Sequence, residues 1–338
     1  MSAGISNVRG NRRLIVLSAL LFIACIFVFS IWPTRGMQCS HTTTRLPQPN
    51  DTAQYKYLNL NSLDATDKAK DRGERILVLT PVLDSAHLQH YFELLDRTTY
   101  PNHLITIGLL LLNQDEETQS QVNDLASNHQ HRWFKRFQDI HIYQHDFEVE
   151  NDNGQYDSLV RRRSTLARAR NVLLSAALQD NDHSWVAWVD PNLSWYPPTI
   201  FEDLTKIDAD VVAPNCLLDR EPDVFWAYDR NNWQETDDSL RQQRTLDENI
   251  VWMEAEDRRL MVDMPTHLGK EYKVPLDGVG GTFTLVKAHV HREGANFPPF
   301  VYKHQLDTEG FAKMAKAMGF SVYGIPAYRI FAFDTATE

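Results

Sequence analysis

The chain has 338 residues, 43% of them hydrophobic and 23% charged, and a formal charge of −11 from 34 basic and 45 acidic residues. That composition suits one large domain with appendages. It argues against a nucleic-acid partner, which needs a concentrated cationic footprint. Three cysteines, Cys25, Cys39 and Cys216, lie far apart without metal spacing, so neither a zinc site nor a disulfide framework is supported.

Residues 14–32 form an uncharged apolar run of about 19 residues, close to the length that crosses a bilayer. Arg9, Arg12 and Arg13 precede it and only Arg35 follows closely, which puts the short N-terminus in the cytosol and the rest on the lumenal side. A cleaved signal peptide is the competing reading, but the run is long and no small-x-small site follows it. The expectation is a type II membrane protein with a cytosolic tail 1–13, a signal-anchor 14–32, a polar lumenal stem 33–72 and a folded domain 73–338. Cys25 falls inside the apolar run, which leaves at most one intrachain bridge. Asn50-Asp51-Thr52 is an N-glycosylation sequon in the stem. A second, Asn192-Leu193-Ser194, falls on the candidate site described below and reads as chance.

From Arg75 the pattern changes. Residues 76–80 read as a first strand, 91–95 as a helix and 104–112 as a buried strand, followed by a helix around Gln119 and a strand over 140–143. A long helix is predicted over 164–178, a strand over 185–190, a helix over 199–206 and a strand over 210–213. Residues 217–270 are rich in charge and tryptophan and poor in periodicity, as in an insertion or lid. A strand over 282–286, a helix over 310–318 and a final strand over 322–333 close the chain. Strands alternating with helices predict an α/β fold with a mostly parallel sheet.

Four segments carry candidate chemistry. Trp185-Val186-Ala187-Trp188-Val189 delivers Asp190 to the carboxyl end of a strand, where open α/β sheets bind ligands. In Asp190-Pro191-Asn192 a carboxylate for a hard cation competes with ordinary turn chemistry, and on the tripeptide alone the turn is the stronger account. Asn192 is neutral and would hold a cation less tightly than an acid. In Arg161 to Asn171, a helical stripe of Leu166, Ala169, Leu173 and Ala177 is core. A second stripe of Arg161, Ser164, Arg168 and Asn171 either meets a diphosphate or is a solvated face. Asp277-Gly278-Val279-Gly280-Gly281 is either an acid beside a close backbone approach or a plain turn. Asp307-Thr308-Glu309-Gly310 is either a capped helix start or a carboxylate at an acceptor. Trp195 and Trp226 are candidates for stacking on a sugar or base.

Taken in order over about 74–333, these segments resemble the fungal mannan-polymerase mannosyltransferases, glycosyltransferase family 62. The likeness is carried by Ile76-Leu77-Val78-Leu79-Thr80-Pro81, Tyr91-Phe92-Glu93-Leu94-Leu95, Arg162-Arg163-Ser164-Thr165-Leu166-Ala167-Arg168-Ala169-Arg170-Asn171, Ala213-Pro214-Asn215-Cys216, Asp277-Gly278-Val279-Gly280-Gly281 and Thr308-Glu309-Gly310-Phe311. The resemblance implies a GT-A fold and a Golgi type II membrane protein that builds α-1,6-mannose chains. It also implies GDP-mannose as donor, a mannan or N-glycan outer-chain acceptor, Mn²⁺ as cofactor, retention at the anomeric carbon and hetero-oligomers with related subunits. Under it Thr80, Pro81, Arg168 and Asp190 would meet the donor, and Asp277 and Glu309 would be catalytic, facing mannose or acceptor. Two positions depart from the family pattern: Asn192 stands where Asp-x-Asp has its second acid, and Ala332 where a metal-binding histidine is usual. Asp190 is then the principal metal ligand, Asn192 a weak one, Ala332 none, and Arg329 a candidate cation in the metal's place. A catalytically inactive subunit that binds glycan or partner is the rival reading, and a lone lectin-like module is a third.

Overall fold

The computed structural model describes residues 59–113, 115–150, 154–179, 182–219, 226–252 and 257–334. The predicted anchor 14–32, the Asn50 sequon, Cys25 and Cys39 lie outside the described residues. No described helix is long and apolar enough to cross a membrane. Residues 63–338 form one compact unit. Within it Ala69, in the segment read as the end of the stem, is buried in the core, and Thr66 donates its backbone N–H and hydroxyl to Glu74.

The unit is built on a nine-stranded sheet. Its first half holds β1 (Ile76–Val82), β2 (Ile105–Leu111), β3 (Asp139–Gln144) and β4 (Trp185–Val189), side by side as β3-β2-β1-β4 and all parallel. β2 and β4 are apolar and buried throughout because helices cover both faces of a parallel sheet. On one face lie α1 (Leu88–Asp96), α2 (Glu116–Gln130) and α4 (Ile200–Thr205), contributing Phe92, Val122 and Phe201 to the core. On the other lie α3 (Tyr156–Leu178), α6 (Ala288–Arg292) and α7 (Asp307–Ala317), contributing Leu173, Val290 and Phe311. Helix α3 begins eight residues before the predicted 164, because the Arg-rich first turns carry no apolar period to announce them.

The second half of the sheet is mixed, so the sheet as a whole is mostly parallel, as expected, with antiparallel additions. β10 (Phe283–Lys287) runs antiparallel between β4 and β6 (Val211–Leu218), and β11 (Val322–Ala332) runs parallel to β6. β5 (Leu193–Trp195) and β9 (Val274–Pro275) add antiparallel to β11. Six of the nine strands share one direction and β5, β9 and β10 oppose it. The reason is where the intervening chain lies. Phe283 pairs with Val189, the last residue of β4, so the chain re-enters the sheet from the carboxyl ends and must run back. β6 is twice its predicted length. Pro214 breaks no ladder there, since β10 pairs only with Val211 and Val212 and the β11 register shifts after Ile325.

In the segment 217–270, read as an insertion or lid, the described residues carry regular structure. β7 (Trp233–Gln234) pairs with β8 (Arg259–Leu260), and α5 (Asp237–Gln243) starts on a reciprocal cap between Thr236 and Ser239. Trp233 is fully buried and bridges to Gly278.

Candidate functional site

The carboxyl ends of β1 and β4 are tied together by Thr80. Its buried hydroxyl donates to the Val189 carbonyl at 2.7 Å and bonds the Tyr91 hydroxyl at 2.9 Å. The Asp190 backbone amide donates to the Thr282 carbonyl (2.8 Å), and the Asn192 amide donates to Asp190 Oδ1 (2.9 Å). The turn reading of Asp-Pro-Asn therefore holds, and it is the turn that aims the acid. Asp190 lines a cleft of about 500 Å³ together with Arg162, Arg163, Arg170, Asp229 and Asp307. Burial raises the Asp190 carboxyl above its usual range, and the charges of Asp229 and Asp84 add to the effect. The Asn192 amide and the Arg170 guanidinium oppose it.

Asp229 is tied to Asp190 through Thr282. Its Oδ2 accepts from the Thr282 hydroxyl (2.6 Å) and amide (3.2 Å), and its Oδ1 accepts from the Asn231 amide (3.2 Å). A Cβ on Gly280 would stand 1.7 Å from Asp229 Oδ2, so only glycine lets that carboxylate reach Thr282. Across the cleft, Arg170 pairs with Asp307. Arg163 pairs with Glu309 at 2.5 Å. A Cβ on Gly281 would come within 2.7 Å of the Arg170 guanidinium, so that glycine passes the arginine toward Asp307.

The cleft thus gathers Asp190 and the Arg162-to-Arg170 helix face, but it does not gather every candidate. Arg168 points to a different groove, lined by Phe147, Ser164 and Pro299, and its guanidinium lies 5.5 Å from the Phe147 ring centre. In the Arg161-Ser164-Arg168-Asn171 stripe Arg161 and Arg168 are exposed and line that groove, not the Asp190 cleft. Ser164 and Asn171 bond the Pro299 and Phe297 carbonyls and dock the segment before α7. Asp277 is outside the cleft, holding Lys316 and the Glu235 amide (2.8 Å). Glu309 is 2% exposed and closed by Trp233 Nε1 (2.6 Å), Arg258 (3.0 Å) and Arg163. It acts as a buried hub and does not line the cleft. Pro81 continues β1 beside Leu110. Trp195 and Trp226 are partly exposed, and neither lines the cleft.

The two departures do lie together. Ala332 pairs with Leu193, and the Phe333 amide donates to the Asn192 carbonyl at 2.9 Å, so position 332 stands beside the Asp190 turn. Arg329 sits three residues back, beside Asn215, and is not among the lining residues; the cation acting on Asp190 is Arg170. The Asn192 side chain is hydrogen-bonded to Tyr228. Among the described residues no cluster of three or more His, Cys, Asp or Glu could cage a metal. Asp190 therefore has the chemistry to join a hard cation that brings most of its oxygen ligands with it, as Mg²⁺-like ions do on phosphates. It does not have the company to hold a resident ion.

Sequence reasoning passed over Asp229, Thr282 and Asp307. Asp229 lies in the stretch without periodicity. Asp307 looked like a helix cap, although Leu306 takes that position and no side chain caps it.

The Anp1 family model matches residues 54–301. The chain is 34% identical over 337 residues to the mannan polymerase II complex anp1 subunit of Schizosaccharomyces pombe, covering 94% of this chain and 76% of that protein. It is 32% identical over 297 residues to the mannan polymerase complex subunit MNN9 of Candida albicans, covering 82% and 80%. Among solved structures, the mannosyltransferase PcManGT from Pyrobaculum calidifontis, in complex with GDP-Man and Mn²⁺, aligns over 85% of this chain and 60% of its own, with 13% identity and a TM-score of 0.46.

Proposed function

The chain belongs to the Anp1 family, and from that premise we propose that it is a Golgi type II membrane protein with a GT-A-like domain. In this reading it transfers mannose from GDP-mannose to a mannan or N-glycan outer-chain acceptor, making α-1,6 linkages with retention. The observation that carries this reading is the cleft at the carboxyl ends of β1 and β4, with Asp190 facing the arginines of α3. The relatives' names as complex subunits support a hetero-oligomer with related subunits.

Among the described residues the lining carries three arginines, Arg162, Arg163 and Arg170, and three acids, Asp190, Asp229 and Asp307, so their formal charge sums to zero. A nucleoside diphosphate entering it brings negative charge that these pairs do not offset. A divalent cation such as Mn²⁺, when bound, would supply the missing positive charge and polarise the leaving phosphate. Asp190 is the residue to meet it. Arg170 sets the position of Asp307 and tempers the charge of Asp190, while Thr80 holds the β4 end from which Asp190 projects. Asp229 keeps Thr282, and with it the Asp190 amide, in place.

A second reading has its own observation: Asn192 and Ala332, both without charge, stand together at the Asp190 turn. They favour a non-catalytic subunit that binds glycan or partner. An assay of the full-length chain for GDP release and mannose transfer to a mannose disaccharide separates the two. Transfer that falls at least about 100-fold in Asp190→Asn, with the fold intact, supports the enzyme. Absence of transfer in the unaltered chain, alone and with its related subunits, supports the second reading.

A further inference from the structure

Two acids one residue apart on α7 differ in a way the fold does not require. Glu309 has donors on both oxygens. Asp307, 6% exposed and lining the cleft, has Arg170 on Oδ2, while its buried Oδ1 has no hydrogen-bond partner among the described residues. A buried carboxylate oxygen left without a donor is costly, and native structures fill such positions.

The position is also built. Lys303, His304 and Asp307 all have left-handed backbones, at φ of 48°, 63° and 50°, although none is glycine. Tyr302 and Gln305 exchange backbone hydrogen bonds (2.9 and 3.0 Å), and the Asp307 amide donates to the Pro298 carbonyl at 3.0 Å. A Cβ on Gly310 would meet Pro298 at 2.4 Å, so the first turn of α7 lies directly on that proline. The strained turn thus holds Asp307 at the cleft wall, with Thr308 beside it as a second lining residue.

We infer that Asp307 forms a hexose-hydroxyl subsite in the cleft, its Oδ1 accepting a hydrogen bond from a hydroxyl of a bound sugar. The chemistry selects that donor. A phosphate would be repelled by the carboxylate, and a divalent cation would be repelled by the Arg170 guanidinium already on Oδ2. A neutral O–H donor completes the group without disturbing the pair. Arg170 acts on both Asp190 and Asp307, so the hydroxyl subsite lies one guanidinium away from the acid proposed to face the diphosphate.

The inference rests on the proposed nucleotide-sugar reading, and its test keeps the two apart. Titration of the full-length chain with GDP, GDP-mannose and a mannose disaccharide is compared with that of Asp307→Asn, which keeps the shape of the side chain. If the hydroxyl belongs to the donor sugar, the variant loses about tenfold in GDP-mannose affinity and less than about twofold for GDP. If it belongs to the acceptor, the loss of about tenfold falls on the disaccharide and GDP-mannose binding is unchanged. Unchanged affinity for all three, or an equal loss for GDP and GDP-mannose, overturns the inference. A chain that binds neither GDP nor GDP-mannose before mutation overturns the functional reading itself. Should Asp307→Asn not fold, the unaltered protein is titrated with mono-deoxy GDP-mannoses and mono-deoxy disaccharides. One of them must bind about tenfold more weakly than its parent, and equal binding of all of them rejects the subsite.

Discussion

Two charged hollows, the Asp190 cleft of about 500 Å³ and the Asp277 pocket of about 460 Å³, are built from the same ingredients and differ in how completely their charges are matched. In the Asp277 pocket Glu235 receives Lys313 (2.8 Å), Ser239 and Gln243 (2.8 Å), and Asp277 receives Lys316 and the Glu235 amide. The oxygens of both acids are answered by this protein's own donors. In the Asp190 cleft one oxygen of Asp307 is buried without a donor among the described residues, and Asp190 is raised by burial and by neighbouring carboxylates. Charge density alone does not mark a site. Charges whose partners are missing do, and by that criterion the Asp190 cleft is the place for a ligand.

The comparison is broken first at Glu309, which joins the two regions through Arg163 on one side and Arg258 and Trp233 on the other. Glu309→Gln leaves the buried Arg258 and the partly buried Arg163 undercompensated and is expected to cost about 3 kcal/mol, read as a lower denaturation midpoint. If the variant is as stable as the parent and only transfer is lost, Glu309 belongs to the chemistry instead.

Acid tests whether stability resides in buried neutral groups outside either hollow. Burial pushes His183 and His291 from 6.5 down to about 4. The unfolded chain therefore binds these protons first. Stability is full above about pH 6.5 and is lost as the pH falls toward 4, by about 3 kcal/mol for each ring. Both His183 ring nitrogens are buried without hydrogen-bond partners among the described residues. His183→Leu should accordingly leave the melting temperature unchanged near pH 7.5 and reduce its fall at pH 5. An unchanged acid profile would assign the loss to other groups.

The smallest effect sharpens the contrast. Lys316 is about one-third exposed, so its pair with Asp277 is worth under about 1 kcal/mol. Asp277→Asn should change the melting temperature by a few degrees at most and leave GDP-mannose binding within twofold. A large loss of binding would return Asp277 to the site.

The legibility of these regions in the sequence follows the range of their interactions. β1, β2 and β4 announce themselves as largely apolar runs, because each is buried on both faces, and Asp190 follows from the last of them. The resemblance to the family was visible in phrases spread along the chain, and the family match bears it out. Which arginine of α3 enters the cleft was not legible. Arg168 and Arg170 are two residues apart on a helix whose rotation is fixed by Ser164 and Asn171 docking on residues 297 and 299. The pairs that build the site, Arg170 with Asp307 and Arg163 with Glu309, span 137 and 146 residues, and no local pattern encodes them. The antiparallel β10 escaped for the same reason, since its direction is set by Phe283 pairing with Val189 at the end of β4.

The central claim is that the cleft is closed electrostatically by a cation that arrives with the nucleotide. Calorimetric titration of the full-length chain with GDP-mannose, with and without Mn²⁺, tests it most directly. Mn²⁺ alone is expected not to bind, GDP-mannose binding to tighten at least about tenfold when Mn²⁺ is present, and that gain to be lost in Asp190→Asn. GDP-mannose affinity that is indifferent to Mn²⁺, or tight binding of Mn²⁺ without nucleotide, would contradict it.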